Sequence, residues 1–197
     1  MINLLPFLSY VFVTSFTPGP NNIMSMVNAR QYGFRKSFCF NLGVFGGFII
    51  LMLACSYFNL ILFNLMPKIE RFLGMFGSIY MLYLAYKIAF SNTIGTDPHS
   101  KKTNTFFAGF RLQFVNPKVI LYGITAIATF ITPNYKSNLA LILFSLFLAF
   151  IGFIGTLCWA VFGALLQNFL TKYNKQFNII MALLLVYCAI SISGLVH

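Results

Sequence analysis

The residues from Leu4 to about Val27 form an apolar run long enough to cross a bilayer as a helix, yet Pro18, Gly19 and Pro20 stand in its middle. Proline removes a backbone donor and glycine loosens the chain, so a break in the helix is predicted at that depth. In hydrocarbon, a freed N–H or C=O must be met by protein or by water in a cavity. A helix broken at mid-membrane therefore points first to a transport site. The second half carries a counterpart, Gln113-Phe114-Val115-Asn116-Pro117-Lys118, again followed by apolar sequence to Ile131. Pro18 and Pro117 lie 99 positions apart in a chain of 197 residues, so the break falls once per half and at the same place in each.

The chain is 59% hydrophobic and 8% charged, where a soluble domain averages about 25% charged. The apolar residues come in long runs rather than the alternation of a barrel, which predicts an all-α integral membrane protein. Windows of about 20 residues give six spans, near 4–28, 38–64, 70–90, 106–132, 137–166 and 176–196. Moving the first three by 99 positions lays them on the last three within a few residues. A unit of three spans must insert upside down on its second pass, so the expected architecture is a three-plus-three inverted repeat, with spans 1 and 4 broken at proline. Residues 1–90 form the first repeat, 91–104 a cytoplasmic linker and 105–197 the second repeat. The first span lacks a basic lead-in and a cleavage pattern, and is expected to be retained.

The net charge of +11 comes from 13 Lys and Arg against Glu70 and Asp97. The cations are scattered over separate loops and form no single patch, which argues against nucleic acid as a partner. They read instead as orientation signals. Arg30, Arg35, Lys36, Lys87, Lys101, Lys102, Lys172 and Lys175 fall on one side, and Lys68, Arg71 and Lys136 on the other. The first group is expected in the cytoplasm, with both termini outside. Gly43 and Gly47 bring a small-xxx-small spacing to span 2, which serves close packing within the chain or the seam of a homodimer. Cys39, Cys55, Cys158 and Cys188 form no CxxC and read as small buried hydrophobes.

The polar residues inside the spans carry the functional reading. Asn116 is a good N-cap and Pro117 a good first helical residue, and Thr17-Pro18 can play the same part in span 1. An inverted repeat brings both half-helix N-termini, with their free N–H groups and partial positive charge, to the bilayer centre. Together they suit an anionic group such as an amino acid carboxylate. Lys118 adds a full charge where a lysine is expensive, unless it snorkels to the surface. The candidate substrate-binding residues are Thr17, Pro18, Gly19, Pro20, Asn21, Asn22, Asn116, Pro117 and Lys118. Asn21 and Asn22 either bond a substrate's amino and carboxylate groups or satisfy the backbone opened by Pro18 and Pro20. Tyr122, Thr125 and Thr129 lie at helical spacing and either line a path or bond between helices.

Neither acidic residue lies in a span, so there is no intramembrane carboxylate to relay protons and no aspartate pair for proteolysis. His99 and His197 lie in the linker and at the C-terminus, away from any Ser-His dyad or multi-histidine metal site. An enzyme is not expected, nor a cofactor or a metal. If protons move in exchange, they must travel on the substrate or on a neutral Lys118; downhill efflux needs no coupling.

The strings Thr17-Pro18-Gly19-Pro20-Asn21, Gly33-Phe34-Arg35 and Phe114-Val115-Asn116-Pro117-Lys118, with the length and span count, resemble the LysE/RhtB family of amino acid exporters. Residues 81–89, 112–116, 120–126 and 181–189 narrow the resemblance to members that handle small neutral amino acids. The resemblance implies a secondary transporter in a bacterial inner membrane that exports an amino acid such as cysteine or O-acetylserine. A homoserine- or threonine-like cargo, another small metabolite, or a passive channel are the alternatives.

Overall fold

The computed structural model describes residues 2–90 and 103–192, with side chains at 60–74, 168, 170–171 and 192 left aside. Helices make up these residues, and no strand occurs among them. In order they are α1 (Leu4–Phe16), α2 (Pro20–Tyr32), α3 (Phe34–Tyr57), α4 (Asn59–Ala89), α5 (Phe106–Val115), α6 (Pro117–Thr125), a π-helical segment (Ala126–Ile131), α7 (Asn138–Leu165), α8 (Gln167–Lys172) and α9 (Asn174–Ile192). Among the described residues α3, α7 and α9 are long and apolar enough to cross a membrane, and α5 with α6 makes a fourth span bent by 63° at Asn116.

The burial pattern is that of a membrane protein. Large apolar side chains face outward, among them Leu5, Phe76, Phe90, Leu165 and Tyr187. Polar side chains are inside, with Asn21, Asn22, Ser25, Asn28, Asn41, Gln113 and Asn116 all buried. In lipid the outward face needs no water, and the interior is the one place where polar groups find partners.

Both predicted breaks are present, but they are built differently. Asn116 caps α6, its Oδ1 accepting from Lys118 N at 3.2 Å, with Pro117 at the first helical position. Thr17 does not cap α2. It closes α1, its backbone N–H donating to Val13 O and its hydroxyl to Thr14 O at 3.2 Å. Helix α2 starts at Pro20 behind Gly19, without a side-chain cap. Two prolines in tandem explain the shift: Pro18 ends α1, and Pro20 rather than Pro18 takes the first helical position of α2.

Two further expectations need correction. The turn between spans 2 and 3 lies at Phe58, not near Pro67, and α4 runs 31 residues through that proline. The turn at Phe58 holds Ser56 and Asn59 but no Gly or Pro and lies within a long apolar stretch, so averaged hydropathy does not mark it. Cys55 is buried and Cys188 half-buried, but Cys39 and Cys158 are exposed on the apolar exterior. All four are free thiols. The linker 91–104 lies mostly outside the described residues, as do Asp97, His99, Lys101, Lys102 and His197.

Glycine sets the helix spacing. A Cβ on Gly43 would sit 1.9 Å from Phe106 O, and one on Gly47 2.8 Å from Phe110 O. From the other side, a Cβ on Gly109 would sit 2.2 Å from Phe40 O. The Gly43–Gly47 pair therefore packs α3 onto α5 within the chain, at backbone contact. Gly155 and Gly163 of α7 do the same against Ser15 O and Met26 O on either side of the first break.

Gly109→Val is expected to lower stability by at least the roughly 1–3 kcal/mol of an overpacked core. Gly46→Ala, whose Cβ would meet nothing closer than 3.5 Å, serves as control. Thermal unfolding in detergent, followed by size-exclusion chromatography, should show an earlier midpoint for the first and none for the second. Equal midpoints would contradict the packing.

Candidate functional site

The carbonyl end of α1 sets the requirement. A helix leaves its last four C=O groups without helical partners, and here they belong to Val13, which is exposed, and to the half-buried Thr14, Ser15 and Phe16. Each is met. Thr17 N–H donates to Val13 O and the Thr17 hydroxyl to Thr14 O. Asn22 Nδ2 donates to Ser15 O and again to Thr17 O, both at 2.9 Å. Trp159 Nε1 of α7 donates to Phe16 O at 3.0 Å. Lys118 supplies the rest from α6: its Nζ donates to Thr17 O and Thr17 Oγ1 at 2.9 Å each, and to Pro18 O at 3.1 Å. An ammonium has three donors, and these are three acceptors. The cation also lies at the negative end of the α1 dipole. Cys188 Sγ stands 3.7 Å from Pro18 O.

The opposite end of the break is open. The first intrahelical bond of α2 is Ile23 N to Gly19 O at 2.9 Å. Among the described residues no acceptor meets the N–H of Gly19, Asn21 or Asn22. By contrast α6 is closed, because Asn116 takes the Lys118 N–H on its side chain and the Val119 N–H on its carbonyl. Of the two half-helix N-termini expected to receive an anion, that of α2 offers the N–H groups of Gly19, Asn21 and Asn22, and that of α6 the Asn116 N–H alone, among the described residues.

Asn21 is committed elsewhere. Its Nδ2 donates to Gln113 Oε1 at 2.7 Å, and its Oδ1 accepts from Gln113 Nε2 and from Asn116 Nδ2, both at 3.1 Å. This buried amide triad ties the start of α2 to the second break. One turn on, the Ser25 hydroxyl donates to Asn41 Oδ1 of α3 and lies 3.1 Å from Thr156 O of α7. Helix α2 is thus enclosed from Pro20 to Arg30, every one of those residues being buried.

Between the two breaks lies a small, half-open cavity of about 30 Å³. Gly19, Asn21, Asn22, Asn116 and Lys118 border it, as do the hydroxyl-bearing Thr14, Ser15, Tyr122 and Thr156. Phe48, Val119 and Gly152 form its apolar part. Among the described residues no acidic side chain borders it. Of the nine predicted residues, the structure brings Gly19, Asn21, Asn22, Asn116 and Lys118 to the cavity, whereas Thr17, Pro18, Pro20 and Pro117 shape the break behind it. The Asn22 side chain does what a broken backbone asks of it, whereas that of Asn21 bonds the Gln113 and Asn116 side chains instead. Tyr122 faces the cavity, whereas Thr129 points outward. The π-helical turns at Ala126–Ile131, where Thr132 N bonds Ile127 O, change the phase that the spacing assumed.

Gln113 and Trp159 were not singled out from sequence. An amide one turn before Asn116 in an apolar span is the signal that would have found the first. Trp159, near one end of its span, reads as an interfacial anchor, so nothing in the sequence points to the second.

Asn22→Leu leaves Ser15 O without its donor, which should cost about 1–3 kcal/mol. An unchanged thermal midpoint in detergent would contradict this account of the break.

The sequence model of the family described as LysE type translocator matches residues 12–193. The protein named cysteine/O-acetylserine efflux protein from Shigella flexneri serotype 5b (strain 8401) is 42% identical over 191 residues, 97% of each chain. The protein of that name from Escherichia coli (strain K12) is 42% identical over 189 residues, 96% of each chain. No solved structure gives a significant match.

Proposed function

The chain belongs to the LysE translocator family, and from that premise we propose that it exports a small neutral amino acid of the cysteine or O-acetylserine kind across a bacterial inner membrane. It acts as a carrier. The observation that carries the substrate site is the pairing of the open N–H groups of Gly19, Asn21 and Asn22 with the Lys118 ammonium on one cavity. A Cβ on Gly19 would lie 3.2 Å from Lys118 Nζ, so the two positive features are adjacent. A carboxylate placed there accepts from the α2 N-terminus and draws the ammonium toward itself.

The rest of the cargo follows from the lining. Its amino group faces the hydroxyls of Ser15 and Tyr122, and its short side chain faces Phe48 and Val119. A cationic side chain would meet Lys118 and find no carboxylate, which favours neutral cargo.

The architecture supporting this reading is a six-span inverted repeat. A helix–break–helix unit followed by two long helices occurs twice, as α1–α4 and as α5–α9. The corresponding long helices pack on each other, α3 on α7 and α4 on α9. By loop charge the Arg30 end of α2 faces the cytoplasm and the termini face the periplasm. Rocking of one bundle against the other around the Lys118 cavity then alternates access. The Gly43–Gly47 seam is used internally, so a homodimer, if formed, uses another face.

Counterflow tests the reading. Vesicles holding purified protein and unlabelled O-acetylserine should accumulate labelled O-acetylserine saturably. Lys118→Met should lower that rate at least about tenfold, as loss of a charge-assisted contact does, with the protein still monodisperse. No counterflow of any small neutral amino acid, or non-saturating flux, would overturn the carrier.

A further inference from the structure

Arg30 reads in the sequence as a loop cation, but the structure buries it at 5% exposure near the end of α2. Its Nη1 donates to Asn174 Oδ1 at 2.9 Å and its Nη2 to Asn178 Oδ1 at 3.0 Å, while the Phe177 ring lies 4.3 Å from the guanidinium. These partners are neutral. A guanidinium keeps its proton, and a buried one without a counter-charge carries an uncompensated desolvation cost. Beside it lies a second, small and partly open cavity, of about 40 Å³, bordered by Met24, Val27, Asn28, Arg30 and Lys87. Among the described residues two cations border this space and no acid does. Glu70 lies 17 positions before Lys87 on the same helix, about 26 Å of helical rise away. Asp97 lies outside the described residues.

This cavity lies on the same helix as the first. Asn21 borders the Lys118 cavity and Met24 this one, three positions or about 4.5 Å of rise apart. Met24 is an adaptable side chain, able to yield between them. Arg30 lies eight positions, about 12 Å of rise, beyond Asn22, so an anion held at Arg30 and Lys87 is about two helical turns along α2 from the Lys118 cavity.

We propose that the cavity at the Arg30 end of α2 is a second, carboxylate-binding site, which collects the amino acid cargo from that face of the membrane before it reaches Lys118. The identity of its ligand rests on the carrier reading; the anion-binding character rests on Arg30 and Lys87 themselves. The site concentrates an anionic group on the intake side, and handing over a carboxylate from one cationic site to the next keeps it paired across the membrane.

The test uses a cysteine introduced as Val27→Cys, in protein whose Cys39, Cys55, Cys158 and Cys188 are replaced by serine or alanine. The reagents are a sulfonate-bearing and a trimethylammonium-bearing methanethiosulfonate of equal size, applied in zwitterionic nanodiscs. The sulfonate should react about tenfold faster, since two nearby cations attract it and repel the other. O-acetylserine should slow the reaction, and serinamide, which has no carboxylate, should not. Arg30→Gln and, separately, Lys87→Met should each remove most of both effects. Equal rates for the two reagents would overturn the site. So would protection by inorganic phosphate or phosphatidylglycerol but not by O-acetylserine, which would make it a phosphate or headgroup site. So would a large gain in sulfonate rate with Asp97→Asn, which would make Asp97 the counter-ion. Counterflow without protection would sink this site alone; protection without counterflow would sink the carrier and leave the site.

Discussion

The structure depends on what is done with the carbonyl end of α1. Stopping a helix inside a membrane protein leaves a row of C=O groups that neither water nor lipid can satisfy. Here donors from four elements converge on that row. Thr17 turns back on its own helix, Asn22 reaches from α2, Trp159 from α7 and Lys118 from α6. None of these donors is adjacent to the others in sequence, so the break itself fixes how the halves of the chain meet. The close approach of Gly155 to Ser15 O belongs to the same requirement. Only a residue without Cβ lets α7 come near enough to place Trp159 on Phe16 O.

The same requirement divides the labour at the site. The carbonyl side of the break is closed and carries a cation. The amide side is left open, because Pro20 has no N–H and Gly19 has no capping side chain. Asn116 satisfies its own helix, so the two breaks are alike in sequence and unlike in consequence. The structure gives Lys118 the carbonyls at the end of α1 as partners, and the proposed function adds a ligand carboxylate as the alternative. Exchange between them offers a direct link from cargo to backbone. A carboxylate that draws the ammonium away withdraws donors from Thr17 O and Pro18 O, and so loosens the junction between the halves.

Much of this was legible in the chain. The prolines at positions 18, 20 and 117 locate both breaks, each beside a residue that suits a helix end, Gly19 or Asn116, whereas Pro67 has no such neighbour and α4 runs through it. The glycine spacing at 43 and 47 marks a close helix contact, and the contact partner, α5, is what the sequence withholds. The turn at Phe58 was illegible because it is short, lacks Gly and Pro, and its polar residues Ser56 and Asn59 are lost in the apolar average around them. The closed state of α6 and the open state of α2 were illegible too. Both helices begin with proline, and the difference lies in whether an asparagine or a glycine precedes it. Arg30 shows the opposite failure. Counting cations for orientation treats each as solvated, and nothing in that count distinguishes a buried guanidinium from a loop lysine.

The central claim is that a carboxylate binds between Lys118 and the start of α2, beside the chain's single tryptophan. Equilibrium titration of Trp159 emission in nanodiscs tests it most directly. O-acetylserine should change that emission saturably, with competition from other small neutral amino acids and none from serinamide. If serinamide competes as well as serine does, the carboxylate is not what this site holds, and the account of the break as a binding site is wrong.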